Sequence, residues 1–397
     1  MVSDYYTYMN QEEVVLDAVA SLIRTHPPTE TPVEAFFGAQ FDAGLARVDL
    51  PVGRGGLGLD AHWQRLIDDR LRAAGAKSPV LRNPVGVGMG LPTLLRHGTP
   101  EQIERYHRPA FTSTELWCQL FSEPGSGSDL AGLSTRAVRD GDGWRVTGQK
   151  VWTSLGHLAQ IGMLLARTDP DAPKHRGITF FLIDMTQAAV EVRPLRQLTG
   201  DAEFNEVFLT DAWVPDSARI GAVDDGWNVA RTTLANERVT LSGAGGGIPR
   251  VGGRAVDELI AGARSTGAWE DPLLRDDVVR RYVEGEVIRF ANLRARRLRA
   301  AGQPGPEGSM MKLAQALYNR RLQRTAMRVL GDAGTAWDPA DPRGGDPAHG
   351  LLRAQANTIE GGTSNVLRNV VGERVLGLPR EPGPAPDTPW SALPRNG

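Results

Sequence analysis

Apolar positions recur at helical spacing over roughly the first hundred residues, at strand spacing over the next hundred, and at helical spacing again to about residue 380. Glu12 to Ile23 carries an apolar stripe, and Thr99-Pro100 is a helix opening for a segment over Glu101 to Tyr106. Between them, Leu50-Pro-Val-Gly-Arg-Gly-Gly-Leu-Gly58 reads as a flexible glycine-rich connection. From about residue 115 to 220 the period shortens. Trp144-Arg-Val146 alternates, Gly177-Ile-Thr-Phe-Phe-Leu-Ile183 is a buried-strand run, and Val190-Glu-Val192 and Glu206-Val-Phe-Leu209 continue the pattern. Asp140-Gly-Asp-Gly143 supplies a turn. The organisation expected is a helical region over 1–112, a β domain over 113–222, a helical domain over 223–380 and a mobile Pro-rich tail over 381–397. Helices, then strands, then helices in one chain argue for an α+β fold. They argue against a doubly wound nucleotide-binding fold, in which the two alternate. Gly125-Ser-Gly127 likewise lacks the βαβ setting of a dinucleotide fingerprint.

Composition narrows the picture modestly. At 397 residues the chain can bury a substantial core. Its 45 basic and 47 acidic residues nearly cancel, which argues against a nucleic-acid surface. Lysine is confined to Lys77, Lys150, Lys174 and Lys312, a bias that reads as base composition. The lone Cys118 excludes an intramolecular disulfide and a multi-cysteine metal site, and its apolar setting predicts a buried structural thiol. No metal site is expected. Met1 to Gln11 has neither a basic nor an apolar leader region, and no apolar run approaches the length of a membrane span. A soluble cytoplasmic protein, with no membrane or nucleic-acid partner, is the expectation.

Chemistry concentrates in three places. Phe121-Ser-Glu-Pro-Gly-Ser-Gly-Ser-Asp-Leu-Ala-Gly132 is a glycine- and serine-rich turn after an apolar segment, suited to bringing backbone N–H groups near an anion. Gly148-Gln-Lys-Val-Trp-Thr-Ser154 places an indole and two hydroxyls in an extended segment, where they could line a flat polar ring. Ile359-Glu-Gly-Gly-Thr-Ser364 precedes an amphipathic helix, with Thr363 or Ser364 as N-cap, and such a helix start is a natural phosphate site. Trp227, Ala230, Leu234 and Leu241 form a helical stripe that Glu237 completes, which puts a carboxylate on an apolar face. Burial there would raise its pKa toward neutrality and suit a general base; a structural Glu237 paired with Arg238 or Arg231 is the alternative.

Six segments in order resemble the acyl-CoA dehydrogenase family: Leu50-Pro51 with Gly55 to Gly58, Arg96 to Gln102, Phe121 to Gly132, Gln149 to Trp152, Leu198 to Gly200 with Glu203 to Val207, and Asn357 to Arg380. The resemblance implies an N-terminal helical domain, a middle β domain, a C-terminal four-helix domain, and FAD as cofactor. It also implies a place in lipid metabolism, with removal of the α-proton of an acyl-CoA by a carboxylate and β-hydride transfer to the flavin. Electron-transfer flavoprotein would be the acceptor, and the assembly a homotetramer or dimer. Carried over, Phe121 and Ser122 would face the flavin, and Gly127 and Ser128 would serve the diphosphate or the CoA. Trp152 and Ser154 would contact the ring, Thr363 and Asn365 would contact FAD, and Arg264 would reach the diphosphate across a subunit interface. Gly331 and Gly334 resemble an adenine-side glycine loop, or equally a helix C-cap and turn. Many relatives place their base just before a Gly-Thr pair, yet here that slot holds Gly361 and Glu360 falls one residue early. Glu237-Arg238 matches the Glu-Arg pair of members such as isovaleryl- and long-chain acyl-CoA dehydrogenases, so the resemblance makes Glu237 the base and Arg238 a CoA contact. An oxidase or tailoring flavoenzyme acting on a carrier-bound acyl group, and a non-catalytic subunit of a heteromer, are the alternatives.

Overall fold

The computed structural model describes residues 2–241, 256–303, 305, 307–335, 347–380 and 382–394. The chain forms two compact units. One comprises Met1–Glu123, Leu133–Arg193 and Glu206–Thr233; the other comprises Pro124–Gly132, Pro194–Asn205 and Leu234–Gly397.

In the first unit, helices run over Val2–Thr25, Val33–Asp42, Trp63–Ala73, Leu91–His97 and Pro100–Thr112. The last opens on a reciprocal capping box: Thr99 Oγ1 accepts from the Gln102 amide, and Gln102 Oε1 accepts from the Thr99 amide. It outruns the expected end at Tyr106 and continues through Pro109. The 50–58 stretch departs from the flexible connection expected from its glycines. The Gly58 amide donates to the Leu50 carbonyl at 2.8 Å, and a Cβ on Gly56 would come within 2.0 Å of that same oxygen. There glycine serves close backbone approach, and the turn is closed by its own hydrogen bonds.

The strands are β1 Trp117–Leu120, β2 Arg136–Asp140, β3 Gly143–Ser154, β4 Ile161–Arg167, β5 Ile178–Asp184, β6 Val190–Leu195, β7 Phe204–Pro215 and β8 Arg219–Ile220. They form one mixed sheet in the order β6-β7-β3-β2-β4-β5-β8, with β1 parallel to β4. β4 and β5 pair antiparallel from Ile161 opposite Asp184 to Arg167 opposite Ile178. Every residue of β4, and all of β5 but Asp184, is buried, which is why these two strands read as continuous apolar runs while β6 alternates. Cys118 lies fully enclosed in β1, and burial pushes its thiol well above the ordinary range, as befits a packing residue.

The helix Gly226–Leu241 runs from the first unit's residues into the second's. The second unit continues with Val256–Ser265, Pro272–Ala300, Glu307–Leu330, Pro347–Arg353 and Ser364–Arg374. Leu259, Ala263, Val278, Ile288, Tyr318, Leu322, Ala326 and Val329 form its core, drawn from three of these helices at helical spacing. The 194–205 loop is fastened to Pro347–Arg353. His349 Nε2 meets Asp201 at 2.8 Å, and Arg353 reaches Glu203 at 3.5 Å and lies over the Phe204 ring. Near the C-terminus, the Trp390 indole N–H donates to the Gly132 carbonyl at 3.2 Å. No helix among the described residues is long and apolar enough to cross a membrane.

Candidate active site

In the first unit the predicted residues fall on two adjoining segments. The Val151 amide donates to the Ser122 carbonyl at 2.9 Å, which sets Ser122 beside the end of β3. Trp152 follows with φ of 62° and is 61 % exposed. A bulky residue in the left-handed region costs about 1–2 kcal/mol, so the strand holds this indole outward against its own backbone preference. Ser122 and Ser154 are half-buried. The Phe121 ring is buried edge-on against Phe180, with centroids 5.9 Å apart, so its backbone and not its ring is what a ligand could meet.

Beneath these segments lie two groups to which sequence reasoning assigned no role, Glu123 and Lys150. Lys150 Nζ meets Glu123 Oε1 at 2.9 Å with both side chains enclosed. Burial alone would raise the Glu123 carboxyl. The Lys150 charge and hydrogen bonds from Thr135, Lys150 and Ser134 overturn that and hold it at about 2. The available signal was a lysine inside a strand of a lysine-poor chain.

In the second unit, Ser128, Thr363 and Asn365 line one groove of about 610 Å³, together with Ser364, Arg320 and Arg368. Thr363 is the N-cap of Ser364–Arg374, its hydroxyl accepting from the Val366 amide at 3.1 Å. The Ser364 hydroxyl is buried there with no hydrogen-bond partner among the described residues. Two guanidinium-bearing residues, a helix N-terminus and an unsatisfied hydroxyl suit a phosphate-bearing ligand. Exposed Gly127 adjoins Ser128 in the same segment. A groove of similar size, about 630 Å³, lies among the first unit's N-terminal helices. Its Arg108 and Asp42 are already paired at 3.0 Å, and small residues make up much of its lining.

Glu360 and Glu237, the two candidate bases, differ in their surroundings. Glu360 accepts from Asn357 Nδ2 at 2.6 Å and from Arg353 at 3.1 and 3.4 Å. That is an anchored carboxylate. Glu237 continues the buried positions Ala230 and Thr233 of its helix and is itself half-buried, so the expected burial is only partial at this turn. Lys312 feels the charges of both, Glu360 more strongly. Lys312 is 6 % exposed, and its ammonium donates to the Asn357 carbonyl at 2.9 Å and the Gly362 carbonyl at 2.7 Å, closing the loop that carries Glu360.

Arg264 is exposed, with its guanidinium 5.3 Å from the Trp269 ring centroid, and it does not line the Ser128–Thr363 groove. Gly331 takes φ of 55° directly after the helix Glu307–Leu330, and Gly334 is buried in the following turn, the geometry of a C-cap. The Arg238 side chain and the small-residue run over 242–247 lie outside the described residues.

Family models described as acyl-CoA dehydrogenase middle domain and C-terminal domain match residues 118–212 and 224–376. Acyl-CoA dehydrogenase FadE34 of Mycobacterium tuberculosis is 45 % identical over 332 residues, 83 % of this chain and 44 % of that protein. The chain thus spans less than half of that relative's length. Acyl-CoA dehydrogenase IpdE1 of the same organism is 41 % identical over 340 residues, covering 85 % of this chain and 86 % of that protein. Among solved structures, the Tcur3481-Tcur3483 steroid ACAD superposes with a TM-score of 0.74 at 28 % identity, covering 93 % of this chain and 98 % of that one.

Proposed function

The chain belongs to the acyl-CoA dehydrogenase family, an oxidoreductase family, and we propose from that premise that it is an FAD-dependent dehydrogenase of an acyl thioester. The observation that carries the cofactor reading is Trp152, an indole kept outward on left-handed backbone, where strain is best explained by a flat ligand. Ser122, Trp152 and Ser154 would hold the ring. Thr363, Ser364 and Asn365, with Gly127 and Ser128, would hold its diphosphate, and the unsatisfied Ser364 hydroxyl fits that use. Ser128 and Arg238 would also meet the CoA, and Arg264 would serve FAD only through a second subunit.

When bound, FAD supplies the hydride acceptor. The chain's own part is the proton. Glu237 takes the substrate's α-proton onto its carboxylate, with the Lys312 ammonium on the same side of the unit. Glu360, saturated by Arg353 and Asn357, holds the loop ahead of Thr363. The likeness to a steroid ACAD supports a bulky acyl group on the thioester. Val279, Val283, Val287 and Phe290 repeat at helical spacing as exposed apolar positions of Pro272–Ala300, which supports a homo-oligomer or a heteromer with a related chain. Electron-transfer flavoprotein is the acceptor this reading implies, in a cytoplasmic lipid-degrading setting.

Anaerobic mixing of the purified yellow protein with a panel of acyl-CoA thioesters tests the proposal. Bleaching of the flavin by a bulky thioester is expected. A protein that takes up no FAD, or that no thioester bleaches, refutes it; steady peroxide formation without an added acceptor would favour the oxidase reading instead.

A further inference from the structure

Glu123 and Lys150 have no assigned part in the chemistry above, yet they are 6 % and 0 % exposed. A buried ion pair is costly to assemble, because both charges give up water, and it is weak evidence for stability by itself. What matters here is what this pair joins. Lys150 Nζ donates to Glu123 Oε1 at 2.9 Å and to the Phe121 carbonyl at 3.0 Å. Glu123 Oε2 accepts from the Ser134 amide at 2.7 Å and the Ser134 hydroxyl at 2.9 Å, while Oε1 accepts from the Thr135 amide at 2.9 Å. One residue past Lys150, the Val151 amide donates to the Ser122 carbonyl, and left-handed Trp152 follows. Glu123 and Leu133 are also the points at which the segment Pro124–Gly132 leaves and rejoins the first unit. Three stretches of backbone therefore meet on one pair of charges: 121–123, 134–135 and 150–152.

We propose that the Glu123–Lys150 pair is the positioning element of the flavin-side residues. It holds Ser122, the 134–135 backbone and the strained Trp152 in one arrangement before a ligand arrives. The proposal rests on the cofactor reading above and concerns how that site is preorganised. An apolar pair of the same volume would fill the space at less desolvation cost. It would give no donor to the Phe121 carbonyl and no acceptor to the Ser134 and Thr135 amides, and buried backbone groups left without partners are costly. The pair supplies all three contacts at once, which an apolar filling cannot.

Lys150→Met and Glu123→Gln are compared with the parent in two measurements. In FAD-free protein, hydrogen exchange at the Ser134, Thr135 and Val151 amides should quicken by about 10-fold or more while the amides of β4 and β5 keep their rates. In titration, FAD affinity should fall by about 10–100-fold, the range usual for outer partners of a bound group, with an altered visible flavin spectrum. Unchanged exchange at those three amides overturns the proposal. So does a folded variant with parental FAD affinity and spectrum, because a merely structural pair would lower the melting temperature and nothing else. Should Lys150→Met fail to fold, Glu123→Gln keeps the size and an accepting oxygen and carries both readouts. If the parent binds no FAD, the cofactor reading falls and the flavin role with it. The exchange result then decides only whether the pair holds these segments.

Discussion

Lys150 and Lys312 are both interior, one in each unit, and they use their charge differently. Lys150 meets a carboxylate at 2.9 Å, and that carboxylate is in turn saturated by two amides and a hydroxyl. Charge is cancelled at contact, so the pair fixes the shape of the backbone around it. Lys312 donates to two carbonyls, which satisfy its hydrogen bonds but not its charge. Its field extends to Glu360 and Glu237. The first unit thus fixes its lysine by contact with a carboxylate, while the second sets a lysine charge within reach of Glu360 and of Glu237, the carboxylate proposed as the base. Arginine carries nearly all the positive charge of this chain, and two of its four lysines sit at these interior positions. A compact ammonium on a flexible stem fits both uses better than a planar fork of five donors.

The largest effect should separate the two carboxylates that Lys312 senses. Glu237→Gln should keep the yellow colour and lower the rate of flavin bleaching by about 10²–10⁴-fold, the usual worth of a positioned general base. Glu360→Gln should stay within about 10-fold in rate, yet lose roughly 1–3 kcal/mol in denaturant unfolding. Buried Arg353 would then lose the nearer of its two ion pairs, Glu203 standing at 3.5 Å. Stopped-flow bleaching ranks the two. A greater rate loss for Glu360→Gln would invert the assignment and make the second unit's charge serve the loop instead of the base.

Next in size is the acid limb of stability. Glu123 titrates at about 2 in the folded chain against 4.5 unperturbed, so the native state binds fewer protons than the unfolded one between those values. Its contribution is present above the unperturbed value and is lost as pH falls toward 2. Glu123→Gln should lower stability at pH 7 and flatten the part of the curve lying between pH 4.5 and 2. Urea unfolding from pH 7 downward measures both. Parallel curves for parent and variant would show that the first unit's anchor is not electrostatic after all.

The order of helices, sheet and helices was legible because it follows from periodicity, and β4 and β5 show why: strands buried on both faces read as unbroken apolar runs. Ser128, Thr363 and Asn365, singled out by motif order, line one groove. Glu123 and Lys150 escaped notice because a buried ion pair leaves no periodic trace, and its partners lie 27 residues apart in the chain. For Phe121, motif order names the position but not which face of the sheet its ring joins; Phe180 decides that. The glycines of 50–58 looked loose because sequence shows the missing Cβ and not the Leu50 carbonyl that occupies its place.

The smallest effect probes the second unit's groove, where one hydroxyl should act in opposite directions on two measurements. Ser364 Oγ is buried with no partner among the described residues, while the neighbouring Thr363 hydroxyl is committed to the Val366 amide. An unsatisfied buried hydroxyl costs folding free energy, so Ser364→Ala should leave the FAD-free protein equally stable or more stable by up to about 1 kcal/mol. The same change should weaken FAD binding several-fold, since a ligand phosphate would satisfy that hydroxyl. Thr363→Ala should instead lower both stability, by about 1 kcal/mol, and affinity, because it removes a cap that the free helix already uses. Thermal melting without FAD and titration with it give the two signs for each variant. If Ser364→Ala destabilised the FAD-free protein and left its affinity intact, the hydroxyl would belong to the fold. The groove would then have to hold its anion by Arg320, Arg368 and the helix terminus alone.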